Sequence, residues 1–177
     1  MASITVEDGT IVTDANSYVT IAEARSFADD RGITLSVDDA VVSVELILAK
    51  DYLEGLRSEY QGVQTNQQVD GTEKQQSLQW PRYGVYMNCS ETMFDENSIP
   101  VELKNAQMQL CIEQFNGINL FPTYSGKYVI DEMVGPLRTK YSEKLGSSST
   151  VRMIAVENFL NPLFGQCSTG RLRSTRI

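Results

Sequence analysis

A chain of 177 residues, 41% of them apolar, is long enough to bury roughly 70% of its unfolded surface around one core. Its 15 basic and 23 acidic side chains leave a net charge of −8, which argues against a task built on gripping phosphate backbones, because that needs a basic face. There is no histidine, so Ser-His-Asp and Cys-His sites, histidine bases and most transition-metal sites drop out together; the expectation is no enzyme, no metal and no cofactor.

Cys89, Cys111 and Cys167 are odd in number, widely spaced and free of any C-x-x-C, so reduced thiols are expected rather than a disulfide framework or a zinc site. Residues 1–9 lack the basic start and apolar core of a signal peptide, and no run approaches the roughly 18 apolar residues of a membrane span. A soluble chain made in the cytoplasm is the expectation.

Residues 17–32 predict the first helix, with both ends marked. Thr20 and Glu23 fit a capping box, Val19 can staple onto Ala24, Arg31 suits the C-terminal dipole and Gly32 supplies a left-handed cap. A second helix is expected from Ser36 to about Leu56, with Asp38 and Asp39 in its positively polarised first turn. It carries two apolar stripes, Val41/Val44/Leu48/Tyr52 and Val42/Leu46/Ala49/Leu53/Leu56, so it should be central or lie at a subunit interface.

From Arg57 to Gln76 the sequence is polar, amide-rich and without period, which predicts a surface loop. The third helix is expected at Val101–Phe115, with Ser98 as cap, Pro100 where a missing N–H does no harm, and Gly117 as its end. Alternation of Tyr128, Ile130 and Glu132 with Val129 and Asp131, a turn at Val134-Gly135-Pro136, and renewed alternation from Leu137 to Tyr141 predict a β-hairpin over about 127–145. Alone it would be marginal in water, so it must lean on the helices or on a neighbouring chain. A fourth helix follows, capped by Thr150, with Met153, Val156, Leu160 and Leu163 on one face beside Phe159 and Phe164, and Pro162 kinks or stops it.

The fold class is therefore mainly α: a small bundle of about four helices with one β-hairpin, extended loops and a C-terminal tail. Residues 1–165 form one domain. The tail, 166–177, holds Arg171, Arg173 and Arg176 and no acid, while 1–165 carry 12 basic and 23 acidic residues. Such a tail should order only on a partner.

Chemistry-bearing constellations are few. The pairs Asp29-Asp30, Asp38-Asp39 and Asp95-Glu96 are adjacent residues that point apart on a helix, and no phosphate loop or EF-hand spacing is present. The densest stretch is Ser77-Leu-Gln-Trp-Pro-Arg-Tyr-Gly-Val-Tyr-Met-Asn-Cys89, which holds the only Trp. Trp80, Tyr83 and Tyr86 beside Arg82 could stack on single-stranded bases, anchor a protein interface, or plug the core. Trp80 is expected to pack on the second and third helices, with Arg82 and Tyr83 left to meet a neighbour.

The runs DANSYVTIAEARSFADDRG, ILAKDYLEGL, LQWPRYGVY, IPVELKNAQMQLCIEQ and VGPL, in that order, resemble a family of small bacteriophage proteins, the DnaT-like single-stranded DNA-binding proteins. These in turn look like head-to-tail adaptors, or connectors, of tailed phages. The resemblance covers about residues 14–140, and its most specific piece is Gln79-Trp80-Pro81-Arg82-x-Gly84-Val85 at its spacing from Ile99-Pro100. It implies a structural virion protein: a homo-oligomeric ring of about twelve copies at the head-tail junction, between the portal protein and a downstream tail or nozzle protein. DNA is then passing cargo only, and no membrane is involved. A single-stranded DNA-binding replication protein is the alternative.

For such an adaptor, the C-terminal helix and tail would tie into the portal, through Leu160, Leu163, Phe164, Arg171, Arg173 and Arg176. A closing ring needs two different faces per subunit, and the second helix, aromatic turn and hairpin can supply them, with Val42, Leu46, Arg82, Tyr83, Tyr128 and Tyr141 as the candidate contacts.

Overall fold

The computed structural model describes residues 3–65, 76–122, 131–134, 137–140 and 153–165. Contacts divide the chain into two units, Met1–Leu120 with Met153–Ile177, and Phe121–Arg152.

Helix α1, Ile21–Asp29, starts where its capping box places it: Thr20 Oγ1 accepts from the Glu23 N–H at 3.1 Å, and Glu23 Oε2 accepts from the Thr20 N–H at 2.7 Å. At its other end Gly32 takes a φ of +71° and Ile33 N–H returns to Ala28 O at 3.0 Å. Arg31 folds back, donating to Phe27 O at 2.9 Å with its guanidinium 3.3 Å from the Phe27 ring centroid.

Helix α2, Asp39–Gly55, begins later than expected. Its cap is Asp38, which accepts from Ala40 N–H at 2.9 Å, while the expected cap Ser36 accepts from Asp38 N–H and closes only the turn before it. Arg25 of α1 fixes this start, donating to Ser36 O at 2.9 Å and pairing with Asp39 at 2.7 Å. Its two apolar stripes part company. Val42, Leu46, Ala49 and Leu53 are fully buried, whereas Val41, Val44 and Leu48 are 43, 49 and 36% exposed.

Helix α3, Val101–Phe115, has the expected bounds, but no side chain caps it; Ser98 donates instead to Asp95 Oδ2 at 2.8 Å. It packs against α1, α2 and α4 and buries Leu103, Ala106, Gln107, Met108, Leu110, Cys111 and Ile112, so α3, rather than α2, is the central helix. Helix α4, Ile154–Leu160, runs into a 3-10 turn, Asn161–Leu163, where Pro162 ends the regular hydrogen-bond ladder. Its first residue follows Met153, with no side-chain cap; the expected cap Thr150 lies outside the described residues.

Two short ribbons complete the described structure. Val63–Gln64 (β1) pairs antiparallel with Arg82–Tyr83 (β2), a pairing the aperiodic loop sequence does not announce. In the second unit, Asp131–Val134 (β3) pairs antiparallel with Leu137–Lys140 (β4), from Asp131↔Lys140 to Val134↔Leu137, the pairing expected of the hairpin; Gly135 and Pro136 lie outside the described residues.

The helical unit has two apolar clusters. One gathers Ala49 and Leu53 of α2, Leu103, Ala106 and Leu110 of α3, and Val156 and Leu160 of α4 around Trp80; the other holds Val19, Phe27 and Ala28 against Val42, Leu46, Met108 and Ile112.

Candidate interaction surfaces

The aromatic turn folds inward at Trp80 and outward at its tyrosines. Trp80 has no exposed surface and meets Tyr60 edge-on, ring centroids 5.8 Å apart and planes at 80°. Its place with α2 and α3 residues in one cluster is the one expected from sequence. The Trp80–Pro81 peptide is cis. Tyr83 and Tyr86 remain 38 and 42% exposed, and Val63, the cross-strand partner of Tyr83, is 37% exposed beside it.

Arg82 does not join them. Only 6% exposed, it donates through Nε to Gln61 O at 2.7 Å, through Nη2 to Gly62 O at 2.6 Å and through Nη1 to Gln79 Oε1 at 3.2 Å, with Tyr60 beneath its guanidinium at 5.9 Å. The expectation that Arg82 meets a neighbour is thereby corrected: two polypeptide segments offer bare carbonyls, and a guanidinium satisfies several at once. Burial lowers its pKa from the ordinary value.

Beneath the turn lies a polar chain. Tyr18 hydroxyl donates to Glu54 Oε1 and accepts from Trp80 N–H at 3.3 Å, and Gln79 N–H donates to Glu54 Oε2 at 3.0 Å. Tyr18 N–H donates to Gln107 Oε1 at 2.9 Å, and Gln107 Nε2 donates to Ser17 Oγ and Leu46 O at 2.9 and 3.0 Å. Burial pushes Glu54 above the usual carboxylate range, against the pull of these hydrogen bonds, and pushes Tyr18 up, with the Glu54 charge adding to it. Every link serves satisfaction of buried groups, and no nucleophile is set against a base.

The other candidate residues fall into three groups. Val42 and Leu46 are wholly buried in the core and have no surface with which to meet a neighbour; the outward residues of α2 are Val41, Val44 and Leu48. Leu160 and Leu163 are likewise buried, and Phe164 stacks on Tyr60 at 5.6 Å while Gln61 N–H and Nε2 bind Leu163 O and Phe164 O at 3.0 and 2.9 Å. These three close the core, because the Pro162 turn feeds the chain back onto the α2 end of the molecule. Arg171, Arg173, Arg176, Tyr128 and Tyr141 lie outside the described residues.

Charge follows the same inward and outward logic. Of the six cations among the described residues of the helical unit, Arg25 pairs with Asp39, Lys50 with Asp51, Arg31 turns onto Phe27 and Arg82 is buried, leaving Arg57 and Lys104. Cys111 is a free, buried thiol that donates to Glu45 Oε2 at 3.8 Å, its pKa pushed up to about 12 by burial and by the Glu45 charge. Among the described residues no group of three or more Cys, Asp or Glu could hold a metal, and no helix is long and apolar enough to cross a membrane.

Sequence reading missed Tyr60, Gln61 and Gln76 as the residues that seat the turn; Gln76 Nε2 donates to Leu78 O and Pro81 O at 2.8 and 2.9 Å. An aromatic in an otherwise polar segment was the one local sign, at Tyr60. It missed Glu7 too, a fully buried carboxylate accepting from the N–H groups of Gly9, Ile11 and Val12 at 2.9, 3.0 and 2.8 Å. No curated protein and no solved structure gives a match. The model of one family, described as "Putative DnaT-like ssDNA binding protein", matches residues 2–177, nearly the whole chain, and the protein belongs to that family.

Proposed function

We propose that this protein is a structural virion component, a head-to-tail adaptor that assembles with copies of itself into a ring between portal and tail, with DNA passing through. It performs no catalysis, works at the head-tail vertex, and has the portal protein and a downstream tail protein as its partners. The observation that carries the reading is the outward stripe of α2, Val41, Val44 and Leu48, on a helix whose other stripe already fills the core. A contiguous exposed apolar line supports an assembly surface, and the few unengaged cations among the described residues of the helical unit suit a conduit better than a grip on phosphates. Mass measurement of the purified protein, alone and mixed with portal, tests it: the expected result is a multi-copy complex on the portal, and a permanent monomer that ignores portal refutes it.

Single-strand binding is the second reading, favoured by the family's description and by the exposed Tyr83 and Tyr86. It requires steeply salt-dependent binding of oligonucleotides that Tyr83→Ala weakens. No binding at low salt removes it.

A further inference from the structure

On α2 the outward line extends to the residue before its cap: Val37, Val41, Val44 and Leu48 are 92, 43, 49 and 36% exposed. Within the helix, Val41, Val44 and Leu48 have the three-four spacing of a helix-packing seam and run about 10 Å along it, with Val37 just beyond the cap. Its border is acidic. Asp38 is exposed and Glu45 half-buried beside the line, and the nearby cations Arg25 and Lys50 are already paired, with Asp39 and Asp51.

The complementary charge sits elsewhere in the chain. The helical unit, Met1–Leu120 with Met153–Ile177, has ten cations and twenty acids; the unit Phe121–Arg152 has five cations and three acids, and three of the eight tyrosines. That second unit contains the β3–β4 hairpin, whose four paired positions span about 10 Å, comparable with the line on α2. A two-stranded hairpin needs a covering surface to be stable in water.

We propose that the outward face of α2 is the docking site for residues 121–152 of a second copy of this chain, the acidic border meeting the cationic segment and the apolar line receiving the hairpin. The inference rests on the ring reading and adds to it the identity of the two faces. Because they differ, each bound copy still presents one of each, so the contact can repeat from copy to copy, as a closed ring requires.

A photo-crosslinking benzoylphenylalanine replacing Val44 in the full chain, in an equal mixture of isotopically heavy and light copies, reads the contact directly. The expected result is heavy-light crosslinks joining the α2 peptide to peptides of 121–152, with yield falling at least about tenfold on Val41→Glu, which sets a like charge into the acidic border. An unchanged melting temperature certifies that variant's fold; Arg138→Glu with Lys140→Glu, read in the same way, supplies the second arm. Crosslinks confined to one isotope, crosslinks between copies that end outside 121–152, or no crosslinks at all overturn the proposal. The adaptor reading fails separately: heavy-light crosslinks to 121–152 from a protein that ignores portal would remove that reading and leave this contact standing.

Discussion

Gly62 shows how tightly single residues hold the aromatic turn. Its φ is +66°, and a Cβ there would lie 2.1 Å from Tyr83 O, against backbone that cannot swing aside. Gly62→Ala should therefore lose about 2 kcal/mol or more of stability in chemical denaturation, with β1–β2 and the Arg82 carbonyl contacts disturbed together. Arg82→Lys should also destabilise, by about 1–3 kcal/mol, since one ammonium cannot span the carbonyls of Gln61, Gly62 and Gln79. Glu54 gives a pH signature. Its folded pKa is raised, mainly by burial, so the folded state binds the proton more readily than the unfolded chain; the stability this contributes is present below the ordinary carboxylate value and is lost as pH rises through the folded value. Stability of the wild type relative to Glu54→Gln should accordingly increase as pH falls through that window, and a difference independent of pH would contradict the assignment.

At the scale of elements, the termini of α1 and the bounds of α3 were legible because they are written locally: a Thr-x-x-Glu box, a Gly at each C-terminal turn, a Pro at the start. Helix α2 was legible in pattern but ambiguous in orientation, since two apolar stripes cannot say which one the core takes. The buried choice, Val42/Leu46/Ala49/Leu53, depends on α1 and, above all, on α3, which is distant in sequence. The same limit hid Arg82: a cation beside aromatics looks outward until the carbonyls of Gln61 and Gly62, twenty or so residues earlier, are placed around it. Paired substitutions separate the stripes. Leu46→Ala should cost about 2–5 kcal/mol through its cavity, whereas Val44→Gln should stay within about 0.5 kcal/mol in the monomer and act on assembly instead.

For the molecule at large, the decisive property lies in the described part of the helical unit, where Arg82 is buried, Arg25 and Lys50 are paired with acids, and an apolar line on α2 is left facing outward. Leu160 and Leu163 belong to the core and Phe164 packs against it, so on the proposed adaptor reading the basic tail is what would attach to portal. Deleting residues 166–177 should leave the melting temperature nearly unchanged while reducing incorporation into particles; full incorporation without the tail would remove its docking role. The most direct measurement is electron cryomicroscopy of assembled particles carrying a tagged copy of this chain. The account predicts the tag in a ring of density between portal and tail at the unique vertex. Particles complete at that vertex and free of the tag would contradict it.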